Sequence, residues 1–314
     1  MFFEGRKYVI FDGALGTMLQ KYGLKPGERP DVMNITAPDV VESVHRMYIE
    51  AGSDIICANT FGASTFGVSA TSKGAHSAGA APYTVRELIA AAVANAGRAR
   101  DGYCRMSSGD GGGSGSGGSG DGGAVLREIK IALDIGPTGQ LLEPVGDLEY
   151  DTAYEIFAEQ AVAGEQEGAN LVAIETMSDL SELQAAILAV KENTRLPVFA
   201  TMTFDRNGYT YTGCTPERFT ELAGRLGADA VGLNCSLAPA EMYATAERIA
   251  GSTELPLIVK PNAGLPTGQT GAYSIGPEEF ARQMEWFKNI GVWVVGGCCG
   301  TTPEFIREIK KVFG

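Results

Sequence analysis

The chain has 314 residues, 44% of them hydrophobic and 20% charged, which is enough chain to bury a sizeable core and the composition expected of a soluble globular protein. Its 38 acidic against 25 basic residues leave a net charge of −13. A phosphate backbone is repelled by that field, which argues against a nucleic-acid partner. No apolar run reaches the roughly 18–20 residues that span a bilayer. Residues 1–12 show neither a long apolar stretch nor a small-residue cleavage site, so no signal peptide is read and a cytoplasmic protein is expected.

In chain order, a first strand is expected at residues 8–11. Val40, Val41, Val44, Met47, Tyr48 and Ala51 then fall on one face at spacings of three and four, and Thr36, Pro38 and Asp39 suit the start of that helix. A strand at 54–58 and a helix at 83–100 follow, then a strand at 129–135 and a helix at 151–167. The alternation continues with a strand at 170–175, a helix at 179–192, a strand at 197–203 and a helix at 216–226. It ends with a strand at 230–235, a helix at 239–250, a strand at 257–260, a helix at 277–289, a strand at 292–296 and a helix at 303–313. Most of the strands are continuous Val, Ile and Leu runs, the pattern of strands covered on both faces. Pro216, Pro239, Pro277 and Pro303 each stand near a first helical turn, where the missing N–H costs nothing.

Eight strands alternating with eight helices in about this length indicate an α/β fold, a (β/α)8 barrel, read as one domain over 1–314. A doubly wound open sheet is the rival. It would usually carry G-x-G-x-x-G after the first strand, and Asp12-Gly13-Ala14-Leu15-Gly16-Thr17 lacks that spacing. Residues 107–123 contain only Gly, Ser and Asp, so a flexible insertion is expected there. Residues 62–82 are also rich in Gly, Ala and Ser, which predicts a long, mobile second connection.

Barrel chemistry sits at the C-terminal ends of the strands. Those ends carry Asp12, Asn59, Thr60, Asp134, Glu175, Thr176, Asn234, Cys235, Lys260, Asn262, Cys298 and Cys299. Cys235, Cys298 and Cys299 can converge over the mouth. Three thiolates suit zinc and leave a fourth position open, the mark of a catalytic site. Other readings stay open: a strained disulfide, unrelated buried thiols, or a phosphate held by the glycine-rich turn at Gly296, Gly297 and Gly300. Thr301 or Thr302 is expected to cap the last helix. Cys57, Cys104 and Cys214 read as ordinary thiols. With only His45 and His76, a histidine-rich metal site is excluded, and both read as structural or solvated. Asp12 and Glu175 read as a grip on an ammonium group. Asp12 could instead be a turn or cap residue, and Glu175 could pair with Lys260.

The stretches Asp12-Gly13-Ala14-Leu15-Gly16-Thr17, Asn59-Thr60-Phe61-Gly62, Glu175-Thr176-Met177-Ser178-Asp179, Gly232-Leu233-Asn234-Cys235-Ser236, Lys260-Pro261-Asn262-Ala263-Gly264 and Gly296-Gly297-Cys298-Cys299-Gly300-Thr301-Thr302-Pro303 together resemble the homocysteine S-methyltransferase family. The resemblance covers nearly the whole chain except about 64–123, and Gly136-Pro137-Thr138-Gly139 and Leu142-Glu143-Pro144 bring it nearest the homocysteine-binding domain of cobalamin-dependent methionine synthases. It implies a (β/α)8 barrel with zinc on Cys235, Cys298 and Cys299, and Asn262 as a neutral fourth ligand that the substrate thiol displaces. Asp12, Glu175 and the backbone amides near Ala14 and Leu15 would hold the amino-acid end of homocysteine. Asn59, Thr60 and Asn234 would line the pocket. The region 64–123 departs from the family's regular helical connection.

A thiol with a pKa near ~8.5 is mostly protonated at neutral pH, and zinc deprotonates one that coordinates it. The expected reaction is S-methylation of homocysteine to methionine. Methylcobalamin, carried by corrinoid- and folate-binding domains or subunits for which this chain has no room, is the first choice of donor. S-methylmethionine is the alternative, and a metal-free barrel binding a phosphorylated substrate is the reading from a different class.

Overall fold

The computed structural model describes residue 3 and residues 5–64, 83–107, 127–267 and 272–314. His76 and all but the first residue of the Gly/Ser insertion lie outside these, as does most of the long connection expected at 62–82.

The strands are β1 (Val9–Ile10), β2 (Ile55–Cys57), β3 (Lys130–Ile135), β4 (Leu171–Met177), β5 (Val198–Met202), β6 (Ala230–Asn234), β7 (Leu257–Lys260), a small antiparallel hairpin β8 (Pro266–Thr267) and β9 (Ala272–Tyr273), and β10 (Val292–Val295). Eight of them form one parallel sheet in the order β1-β10-β7-β6-β5-β4-β3-β2. A parallel bridge between Phe11 and Ile55, with the Asp12 N–H donating to the Ile55 carbonyl at 3.0 Å, brings β1 against β2. The expected (β/α)8 barrel is therefore the architecture.

Strand alternation divides the core. Val9, Phe11, Ile55, Cys57, Ala132, Leu171, Ala173, Phe199, Ala230, Ile258 and Val294 form one buried cluster inside the barrel. Their neighbours Ile10, Ile56, Ile131, Val172, Ile174, Val231 and Val259 join the larger cluster between sheet and helices.

The helices are α1 (Leu15–Lys21), α2 (Met33–Thr36), α3 (Pro38–Ala51), α4 (Val85–Ser107), α5 (Tyr150–Gln166), α6 (Leu180–Asn193), α7 (Pro216–Arg225), α8 (Pro239–Ala250), α9 (Pro277–Met284) and α10 (Pro303–Phe313). Each buries one stripe. In α10 this is Phe305, Ile306, Ile309 and Phe313, each side chain contributing about 1.5–3 kcal/mol when fully buried. The prolines of α7, α8, α9 and α10 all sit in the first turn, as expected.

The structure corrects several expectations. Thr36 does not start α3; its hydroxyl donates back to the Val32 carbonyl at 3.1 Å and it ends α2, leaving Ala37 as the cap. Thr302 is the cap residue of α10, yet its side chain bonds Glu304 rather than a backbone amide. The segment 277–289 is a helix only to Met284 and continues as a 3-10 helix, Glu285–Ile290. The short helices α1 and α2 and the β8–β9 hairpin were not foreseen.

Candidate active site

The C-terminal ends of β1, β2, β3, β4, β6, β7 and β10 surround a cavity of about 450 Å³. Asp12, Cys57, Asn59, Asp134, Glu175, Cys235, Lys260, Cys298 and Cys299 all face it, with Leu15, Thr17 and Phe61 at its walls.

On one side stand three thiols. The Sγ atoms of Cys235, Cys298 and Cys299 all lie within 4.8 Å of one another, with Cys235 and Cys299 at 3.9 Å. All six cysteines are free. The backbone that carries the three is irregular. Cys235 and Ser236 have φ of 62° and 58°, as does Thr176 beside Glu175 on β4 at 63°, conformations that cost a non-glycine residue about 1–3 kcal/mol each and that concentrate at functional sites. Neighbouring loops brace them. The Cys235 N–H donates to the Lys260 carbonyl at 3.1 Å, the Cys298 N–H to Pro261 at 2.8 Å, and the Ala263 N–H to Cys299 at 3.0 Å. Gly300 has φ +81°, and a Cβ there would lie 2.3 Å from the Tyr273 ring; the hairpin thus lays an aromatic ring beside the sulfurs. Thiol hydrogen bonds from Cys298 and then Cys299 hold Cys235 well below the usual thiol range. Their bonds to Cys235 push Cys298 well above that range and Cys299 up to about 11.

Asn262 is 7% exposed, its Oδ1 has no partner, and its side chain helps to hold Cys235 below the usual thiol range. Asn234 is fully buried behind the sulfurs. Its Oδ1 accepts from the Thr176 N–H and the Thr201 hydroxyl, and its Nδ2 donates to Thr176 Oγ1, each at 2.8 Å. The same Nδ2 lies 3.8 Å from Cys298 Sγ.

On the other side Asp12, Asp134 and Glu175 surround one ammonium, with Asp31, ion-paired to Arg29, also in the lining. Lys260 pairs with Glu175, both buried, and its Nζ sits 4.5 Å from the Phe11 ring centroid. Burial works against the Lys260 charge, but Cys57, Glu175, Asp12 and Asp134 outweigh it and hold the ammonium well above its usual range. Asp12 Oδ2 accepts the Cys57 N–H at 2.8 Å. Burial nevertheless pushes the Asp12 carboxyl up to about 7, with Glu175 adding to it and Lys260 and Cys57 opposing.

The residues named from the sequence are largely brought together, with adjustments. Asn59 lines the cavity, but its amide is taken by the Pro30 carbonyl and Asn34. Thr60 and Asn234, expected in the lining, are fully buried behind it. The Ala14 N–H donates to the Thr301 carbonyl at 2.9 Å and so does not point at a ligand. The N–H groups of Leu15, Gly16 and Thr17, in the first turn of α1, lack intrahelical acceptors. Glu175 has the Lys260 partner that was the alternative reading. Cys57, read as an ordinary thiol, stands in the cavity. Asp134 was noted as a strand end without a role, and counting alternate residues along β3 from Ala132 turns it inward. His45 is fully buried in α3 with both ring nitrogens unpartnered, and burial lowers its pKa to about 4, which keeps it a neutral core residue.

The family model for homocysteine S-methyltransferases matches residues 9–313. A methionine synthase of Mycobacterium tuberculosis is 32% identical over 97% of this chain, and one of Mycobacterium leprae 31% identical over the same share. The chain spans about a quarter of the length of these two relatives, 24% of each. The metallated homocysteine methyltransferase MmuM from Escherichia coli superimposes with a TM-score of 0.77 at 21% identity, covering 98% of this chain and 96% of that one. At that identity the likeness is one of fold.

Proposed function

The chain belongs to the homocysteine S-methyltransferase family, and we propose that its barrel mouth binds homocysteine, presents the substrate sulfur at a zinc ion on Cys235, Cys298 and Cys299, and methylates it to methionine. The observation that carries this reading is the meeting of three convergent thiols and a carboxylate-lined floor in a single cavity.

The residues fit a zinc ion. Three sulfur donors within one coordination sphere's reach are what a borderline-soft cation needs, and three protein ligands leave a position for substrate. The unpartnered Oδ1 of Asn262 beside Cys235 is a buried acceptor that a cation would satisfy, so Asn262 would be a neutral fourth donor. Bound there, zinc supplies the Lewis acidity that keeps a coordinating thiol deprotonated near neutral pH.

The protein's own residues then do three things. Asn234 and the cross-braced loops after β6, β7 and β10 hold the sulfurs in place, so little rearrangement is needed at reaction. Asp12 and Glu175 supply negative charge where the substrate ammonium would sit, and the first turn of α1 offers free N–H groups to its carboxylate. In the transfer, the thiolate sulfur forms a bond to the methyl carbon as the donor's bond to that carbon breaks, the electron pair leaving with the donor.

The reading extends to a methylcobalamin donor on a further domain or subunit, with a folate-binding domain behind it, in a cytoplasmic setting that keeps thiols reduced. Supplying zinc-loaded protein and homocysteine with methylcobalamin or with S-methylmethionine, and measuring methionine, tests it. Slow turnover with methylcobalamin is expected, since positioning by a partner is missing. Turnover with S-methylmethionine alone would overturn the donor assignment, and none with either would overturn the function.

A further inference from the structure

Asp134 is a carboxyl lining the cavity that the reading above does not use. Alternation along β3 turns it into the barrel, as it does Ala132. It is 8% exposed and lines the cavity, yet its Oδ1 is buried with no hydrogen-bond partner. A buried carboxylate oxygen left unpaired is destabilising, because its hydration is lost with nothing in return. The cost persists in a native site when something outside the chain relieves it.

The surroundings narrow what that is. Glu175 is taken by Lys260. Asp12 is engaged by the Cys57 N–H. Lys260 is the one cation lining the cavity among the described residues, and it faces three carboxylates. The acceptor left open is therefore on Asp134. Its position is also fixed. Thr60 Oγ1 donates to the Asp134 carbonyl at 2.8 Å and accepts the Asp134 N–H at 2.9 Å. Thr60, fully buried, thus acts as a positioning residue for Asp134 rather than as pocket lining. Burial, with Glu175 alongside, pushes the Asp134 carboxyl well above its usual range, and an ammonium entering beside it would favour the carboxylate form.

We propose that Asp134 is a specificity-determining residue whose free oxygen receives the ammonium group of an α-amino thiol, so that the site selects amino-acid thiols over thiol acids of the same length. This rests on the reading of the cavity as a homocysteine site. It adds a direct acceptor to the field of Asp12 and Glu175, and it explains how the site distinguishes the amine although Glu175 already has a cation.

The test compares two ligands on zinc-loaded protein by titration calorimetry: homocysteine, and 4-sulfanylbutanoate, which keeps the thiol and carboxylate but lacks the amine. In Asp134→Asn, homocysteine affinity should fall about 10- to 100-fold, the worth of a hydrogen bond to a charged group. Affinity for 4-sulfanylbutanoate should stay within about twofold of wild type. The same pair of titrations on Asp134→Ala, which removes the buried polar atoms, guards against a folding defect of the amide variant. An equal fall for both ligands would make Asp134 merely structural, and undiminished homocysteine binding would remove its role; either overturns the inference while leaving the zinc-thiolate reading intact. Wild-type protein that bound both ligands equally would overturn the amino-acid pocket itself.

Discussion

The two sides of the barrel mouth are built by different means. The carboxylate side follows strand parity: Glu175 and Lys260 point inward because Ala173 and Ile258, two residues earlier on the same strands, do, and the one irregularity there, the β4 bulge with Thr176 at φ 63°, comes at the strand's end. The sulfur side depends on departures from regularity. Cys235 and Ser236 adopt positive φ, Gly300 does so under the Tyr273 ring, and three loops exchange backbone hydrogen bonds to hold that shape. A pleated strand delivers a charge at a predictable height. It does not bring sulfurs from two separate strands within 4.8 Å of one another. The backbone strain on that side is a cost of making a small, dense donor set.

If the sulfur side is one cooperative unit, removing a single thiol should undo it. Cys298→Ser is expected to lower bound zinc from about one per chain to near none. Methyl transfer should fall by about 10³-fold or more, roughly 4 kcal/mol of barrier. Elemental analysis and a methionine assay measure both. Full zinc content in this variant would show that the sulfurs do not act together, and the contrast between the two sides would lose its basis.

The carboxylate side should fail differently, through charge balance and not through metal. Glu175→Gln leaves the buried Lys260 ammonium without its partner, which by analogy with broken buried pairs costs about 3–5 kcal/mol of stability. Adding Lys260→Met should recover most of that loss, because the stranded charge is gone. Denaturant unfolding gives both values, and zinc content should be unchanged throughout. Loss of zinc in Glu175→Gln would mean that the two sides are not independent.

The same division explains what could be read from the residues. The eight barrel strands follow from continuous Val, Ile and Leu runs, each within two residues of its observed ends, because burial on both faces leaves little freedom of composition. The three cysteines were legible through residue type and spacing after β6 and β10. Asp134 and Cys57 were within reach of a parity count, but a lone strand-end Asp has many structural uses and an isolated Cys is usually packing. The short α1 was missed because Gly16 and Thr17 are poor helix formers and its apolar set, Leu15, Met18 and Leu19, spans little more than one turn. The β8–β9 hairpin was missed because each strand has only two residues. That the Ala14 N–H is taken was not legible, since its acceptor, the Thr301 carbonyl, lies far along the chain. Contacts of that kind arise from closure of the barrel and leave no local trace.

A smaller effect sharpens the comparison by titration. Asp12 is pushed by burial up to about 7, so it is largely a neutral acid at pH 6 and largely a carboxylate at pH 8. An aliphatic ammonium stays charged across that window. It is attracted to the carboxylate and not to the acid, so binding of the amine should strengthen as pH rises through 7 and weaken as pH falls. The ratio of homocysteine to 4-sulfanylbutanoate affinity isolates this, because thiol deprotonation at the sulfur side affects both ligands alike and cancels. Between pH 8 and pH 6 the ratio is expected to fall by up to about tenfold, about 1.4 kcal/mol. Asp12→Asn should flatten the profile while lowering the ratio at pH 8. A ratio that stayed constant in wild type would show that Asp12 does not sense the amine, leaving that contact to Asp134 and Glu175.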